Sequence, residues 1–102
     1  MQYGLQQRDI ELIQSVFASF QEVEKAILYG SRAKGNFKPA SDIDISFHGS
    51  ELTQTIINQI AWQLDDLLLP YTFDLSIYFQ IKNNDLIEHI NRVGVELYIK
   101  HA

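Results

Sequence analysis

Apolar residues recur at helical spacing near the start of the chain, where Ile10, Ile13, Val16, Phe17, Phe20 and Val23 line one side of residues 9–24. This periodicity predicts an amphipathic first helix with Asp9 as its cap. Residues 25–30, Lys-Ala-Ile-Leu-Tyr-Gly, form a short apolar run stopped by glycine, the pattern of a buried strand ending at a turn. After Gly35 and Pro39 punctuate residues 31–41, the period changes to two: Ile43, Ile45 and Phe47 fall on one strand face, Asp42 and Asp44 on the other. Residues 51–69 return to a helical stripe of Leu52, Ile56, Ile60 and Leu64, closed by Pro70. A second alternating strand over 72–79 presents Asp74 and Ser76 on its polar face. A last helix over 84–93, opened near Asn84 or Asp85 and ended by Gly94, leads into a terminal strand, Val95–Ile99.

The order αβ(turn)βαβαβ predicts an α/β (α+β) fold in which one mixed sheet is covered by helices. No repeat or Pro/Gly/Ser linker divides residues 1–102, so a single domain is expected, long enough to enclose one core. No apolar stretch approaches the ~18 residues that span a bilayer, and residues 1–15 lack the pattern of a secretory signal; a cytoplasmic location and no membrane partner are expected. With no cysteine, metal chemistry falls to oxygen ligands. A net charge of −5 argues against general nucleic-acid binding, which needs a basic surface. The charge is uneven, however: Arg32, Lys34 and Lys38 lie within seven positions, just before Asp42. That local reversal suits a small polyanion beside a cation, although taken by itself it is more often a solvated loop.

Aspartate is disfavoured in strands, so two of them alternating with isoleucine need a reason beyond propensity. Residues i and i+2 lie about 6.6 Å apart on one face, a spacing from which two carboxylates converge on one or two divalent cations. Mg²⁺ takes one or two carboxylates, with water and phosphate oxygens completing its shell, and two such ions stabilise both the attacking and the leaving oxygen of a phosphoryl displacement. Asp74, on a separate strand, completes a triad and stands where a base for an acceptor hydroxyl is needed. A bare Asp-x-Asp is more often a solvated strand face. The Gly30-Ser31 turn changes that balance, because glycine admits close backbone approach to a phosphate and the serine hydroxyl can donate to its oxygens. Gly-Ser, ten residues, then Asp-x-Asp should arise by chance in about one chain of this length in a thousand.

Gly30-Ser31-Arg32-Ala33-Lys34-Gly35 followed by Ser41-Asp42-Ile43-Asp44-Ile45 resembles the signature of the DNA polymerase beta nucleotidyltransferase superfamily, and its minimal branch above all. The likeness extends from the leading helix through Phe73-Asp74-Leu75, which resembles the third acidic strand, to Gly94–Tyr98; Lys34 and Ile45 stand where arginine and leucine are common in relatives. The resemblance implies a polymerase beta-like fold in which Asp42, Asp44 and Asp74 are catalytic and ligate Mg²⁺, two ions in the fullest form. It implies that Gly30 and Ser31 hold the triphosphate of a nucleotide, and that a nucleoside monophosphate passes to a hydroxyl with release of pyrophosphate. For Arg32 two roles stay open, neutralising nucleotide phosphate or packing against a nearby carboxylate. Ser41 is expected to cap local backbone.

Minimal members of the family pair with a separate, mostly helical HEPN-type toxin. The resemblance thus implies an antitoxin of the type VII kind that moves AMP from ATP to a tyrosine of a HEPN-domain protein encoded nearby. The elements of the catalytic core use up the chain, which fits an acceptor that is small or carried by another protein. A second possibility is a non-catalytic nucleotide-binding subunit that neutralises or completes its helical partner by complex formation; the presence of three acids favours the enzyme. His48, His89 and His101 share no ligand spacing and are expected to be exposed and without a role. Trp62, Leu64 and Leu68 are expected in the core, and Asp65-Asp66 on a solvated helix edge. Tyr29 and Tyr78 flank the acids, as structural strand aromatics or as a stacking surface for a base.

Overall fold

A computed structural model describes residues 2–101. Four strands, β1 (Lys25–Tyr29), β2 (Ile43–His48), β3 (Phe73–Ile77) and β4 (Val95–Ile99), form one sheet in the order β3-β2-β1-β4. β1 runs antiparallel to both β2 and β4, whereas β2 and β3 are parallel. Parallel neighbours need a crossover, and helix α3 (Gln54–Asp66) supplies it. The mixed sheet expected from the element order is therefore present.

Side-chain alternation divides the sheet into two unlike faces. On one, Ala26, Leu28, Ile43, Ile45, Phe47, Ile77 and Leu97 join Ile10, Ile13, Val16 and Phe17 of α1 (Gln7–Ala18) and Ile57, Ile60 and Leu64 of α3 in a continuous core. Phe17 meets Phe47 edge-to-face with ring centres 5.1 Å apart. Each such side chain taken fully out of water contributes about 1.5–3 kcal/mol, so this face carries most of the stability. On the second face Ile90 of α4 (Asn84–Val93) packs on Ile27 and Tyr29 of β1, and Tyr78 stacks on His48 at the end of β2, beside the fully buried Ser46. At the start of β2 and β3 that face is open, leaving Asp44 half-buried and Asp74 exposed.

Local chemistry moves several element ends from their expected places. α1 starts at Gln7 without a side-chain cap, and Asp9 lies in its first turn, 4% exposed, with its Oδ2 accepting from the Tyr71 hydroxyl at 3.0 Å. The same helix ends at Ala18, so Phe20 and Val23 reach the core from a turn. α3 is shorter than the stripe implied. Thr53 caps it by accepting from the Ile56 N–H, and it closes at Asp66, four residues before Pro70. Leu68, at φ 56°, is 88% exposed and Trp62 is 70% exposed, against the expectation that both are core residues. Trp62 sits on the side of α3 opposite Ile57, Ile60 and Leu64, and an apolar residue type does not fix which way a helix turns it. Asn83 caps α4 through the N–H groups of Asp85 and Leu86. No helix among the described residues is long and apolar enough to cross a membrane.

Candidate functional site

β1 ends at Tyr29, and Gly30 opens a five-residue helix, α2 (Gly30–Lys34), where the sequence suggested only a turn. Tyr29 pairs with Asp44 across β1 and β2, so the Gly-Ser element is delivered beside the aspartates. Gly30 sits at φ 76°, and a Cβ there would fall onto Asp44 Oδ2. Both the left-handed backbone and the close approach to the carboxylate require glycine.

Asp44 and Asp74 occupy the same register of the parallel β2–β3 pair, on the open face. Asp42 stands one residue ahead of β2 and is exposed, as is Asp74, while Asp44 is half-buried. The Asp44 carboxyl is pushed up to about 6, first by burial and then by the negative charges of Asp74 and Asp42. Among the described residues no cation or hydrogen bond acts against these causes. Among the described residues no group of three acidic or histidine side chains is gathered closely enough to hold a metal ion by itself. Two facing carboxylates, one of them starved of counter-charge, are nevertheless the donor set that Mg²⁺ takes when phosphate oxygens complete its shell. Asp44 and Asp74 fit that requirement, with Asp42 one residue ahead of β2.

The elevated Asp44 carboxyl has a consequence for the metal-free protein. Because the folded value lies above the ordinary 3.8, the folded state resists ionisation that the unfolded chain accepts. The resulting penalty is full above about pH 6 and fades as the pH falls towards 4. An unscreened shift of this size corresponds to ~3 kcal/mol, but water reaches the half-exposed group and leaves about 1 kcal/mol. Asp44→Asn should therefore raise the melting temperature by roughly 4–8 °C at pH 8 in EDTA and by almost nothing at pH 4. Equal melting curves for the two proteins at pH 8 would contradict this.

Arg32 is placed elsewhere than the open face. It is 1% exposed, and each guanidinium nitrogen is committed to a backbone carbonyl: Nε to Ser41 at 3.1 Å, Nη1 to Tyr3 at 3.0 Å and Nη2 to Pro39 at 3.2 Å. Phe37 and Tyr71 lie against the guanidinium, each ring centre 5.4 Å away. The expected contact with nucleotide phosphate is thereby corrected, as is packing against a carboxylate. A buried guanidinium must satisfy its donors internally, and here it does so on carbonyls. Its position joins the two motifs, for it projects from α2 and holds the carbonyl of the residue before Asp42. Ser41 caps local backbone, its hydroxyl accepting from the Lys38 N–H at 2.8 Å. Lys34 and Lys38 remain exposed beside the site.

Two histidines set aside from sequence are built into this face. His89, half-buried on α4, accepts from the Gly30 N–H through Nε2 at 3.1 Å and meets the Tyr29 ring edge-on at 6.1 Å. His48 stacks on Tyr78 at 4.3 Å and is held below its usual range by burial and then by Lys25. Only His101 is exposed as expected. Neither contact has a signal in sequence spacing, since the partners lie 59 and 30 positions apart. Tyr29 is 7% exposed within the Ile27–Ile90 cluster, so it is a packing residue and offers no stacking surface. Burial raises its hydroxyl pKa, and the Ser76 hydroxyl works against that rise.

A family model described as Polymerase beta, Nucleotidyltransferase matches residues 11–102. No curated protein matches the chain in sequence. Among solved structures, a chain of a toxin–antitoxin complex with AMP-PNP is similar at TM-score 0.70 and 20% identity, over 95% of this chain and 76% of that one. A chain of tri-AMPylated Shewanella oneidensis HEPN toxin in complex with MNT antitoxin is similar at 0.69 and 19%, over 94% and 74%. A chain of the toxin–antitoxin MntA–HepT is similar at 0.68 and 20%, over 93% and 74%. At these identities the likeness is one of fold.

Proposed function

Because the chain belongs to the polymerase beta nucleotidyltransferase family, we propose that it is an Mg²⁺-dependent nucleotidyltransferase that moves AMP from ATP to a tyrosine hydroxyl of a HEPN-type helical protein encoded nearby, acting as its antitoxin in the cytoplasm. The observation that carries the catalytic reading is the register pairing of Asp44 with Asp74 on an open sheet face, with Gly30 directly over Asp44. The choice of AMP and of a HEPN partner is supported by the fold likeness to complexes described with AMP-PNP and with an AMPylated HEPN toxin.

In this reading Gly30 and Ser31 hold the triphosphate, and Asp42 and Asp44 hold the metal with Asp74 beside it. When bound, Mg²⁺ supplies positive charge to the phosphate oxygens as the bridging bond to pyrophosphate lengthens. The acceptor oxygen bonds to the α-phosphorus, the bond from that phosphorus to the bridging oxygen breaks, and pyrophosphate departs with the electron pair. Asp74, exposed at the edge strand, takes the hydroxyl proton.

Incubation of the protein with labelled ATP, Mg²⁺ and the HEPN-type protein encoded beside it is expected to label that protein on tyrosine. Label should be lost when Mg²⁺ is replaced by EDTA. A stable complex that neutralises the partner without any label transfer would refute the enzyme and leave a nucleotide-binding subunit acting by occlusion.

A further inference from the structure

The Gly30 N–H is held by a residue outside every motif in the chain. His89, midway along α4, reaches under the turn and accepts that proton through Nε2 at 3.1 Å. A backbone N–H can only donate, so Nε2 must carry a lone pair and the ring must be neutral, with its proton on Nδ1. The same ring stands edge-on to Tyr29, the residue before Gly30 and the register partner of Asp44. One imidazole thus touches both residues that connect β1 to the Gly-Ser element.

Such a hold matters because of what Gly30 lacks. Glycine enters positive and negative φ with similar ease, so nothing intrinsic keeps this residue at 76° or prevents its peptide plane from turning over. The space above it is closed by Asp44, whose Oδ2 stands where a Cβ would be. Rotation of the Gly30 peptide would therefore change the relation of the turn to the carboxylate as well as the direction of the neighbouring N–H groups. A loop ordered before its ligand arrives binds more tightly than one that must be ordered by it.

We propose that His89 is a positioning residue for the nucleoside triphosphate: its neutral Nε2 fixes the Gly30 peptide so that the Gly30-Ser31 turn is preset at its distance from Asp44. The role rests on the reading of Gly30 and Ser31 as the triphosphate-holding turn. It also makes α4, which carries none of the motif residues, part of the nucleotide site. The hold is one of hydrogen-bond polarity as well as packing, and this separates it from a merely structural histidine.

The test compares the wild-type protein with His89→Gln, whose side-chain oxygen accepts at similar reach, His89→Leu, which fills space without accepting, and His89→Lys, which can only donate. Mg²⁺–ATP is titrated calorimetrically into each, and hydrogen exchange at the Gly30 amide is followed by NMR without ligand. His89→Leu and His89→Lys should bind ATP about three- to tenfold more weakly, the size of one lost neutral hydrogen bond. In both, the Gly30 amide should exchange at least about tenfold faster. His89→Gln should stay within about twofold of wild type in both measurements. The proposal is overturned if His89→Leu keeps wild-type affinity and Gly30 exchange, or if His89→Gln is as impaired as His89→Leu. Failure of the wild-type protein to bind ATP is a different result, which removes the nucleotide reading itself and the positioning role with it.

Discussion

Replacement of both carboxylates of the Asp-x-Asp pair, as Asp42→Asn with Asp44→Asn, is expected to reduce label transfer from ATP to the partner by roughly a thousandfold or more, while the domain stays folded and the complex with the partner survives. The size follows from the chemistry, since neutralising charge on the transferring phosphate is worth several kcal/mol and each 1.36 kcal/mol is tenfold in rate. The fold should tolerate the change because Asp42 is exposed and the ionised form of Asp44 is disfavoured by burial and like charges. Removing the charges of Asp42 and Asp44 leaves Asp74 alone and relieves the repulsion, so the variant should be at least as stable as wild type without metal. Transfer assays, melting curves and co-elution with the partner give the three readouts. A double variant that still transfers label at near wild-type rate would place the catalytic metal elsewhere.

Arg32→Ala should act in the opposite way, costing roughly 3–5 kcal/mol of stability, a large part of what a domain of this size possesses. The truncation leaves three carbonyls, those of Tyr3, Pro39 and Ser41, without their donor, and removes the cation that lies against Phe37 and Tyr71. The loss extends further, since Tyr71 also donates to Asp9 of α1, and the cluster ties α1, α2 and the entry to β2 together. Arg32→Lys should recover only part of the loss, because one ammonium cannot follow the three directions of the guanidinium. Urea unfolding of the three proteins measures this. A midpoint for Arg32→Ala equal to that of wild type would show that the buried guanidinium is dispensable.

Most of the secondary structure was legible from periodicity, and for a physical reason: Ile43, Ile45 and Phe47 must all reach one core, so their alternation admits a single strand register. The same alternation placed Asp44 and Asp74 on the opposite face. Helix ends were less legible, as with Asp9 and the tail of α3, because a buried hydrogen bond or a side-chain cap overrides the apolar stripe. Trp62 and Leu68 were misplaced because their residue type favours burial without specifying it.

What the sequence determined by itself was the pair of motifs, their separation, and the family resemblance that the match over residues 11–102 bears out. These are local patterns, carried by residues whose chemistry is recognisable without their surroundings. The tertiary structure alone decided what holds those motifs. Arg32, inside the Gly-Ser signature, turned inward to three carbonyls, while His89, 59 positions from Gly30, came to hold its N–H. Both outcomes depend on donors and acceptors brought together by chain topology, and a hydrogen bond formed across a fold leaves no spacing in the chain by which to recognise it.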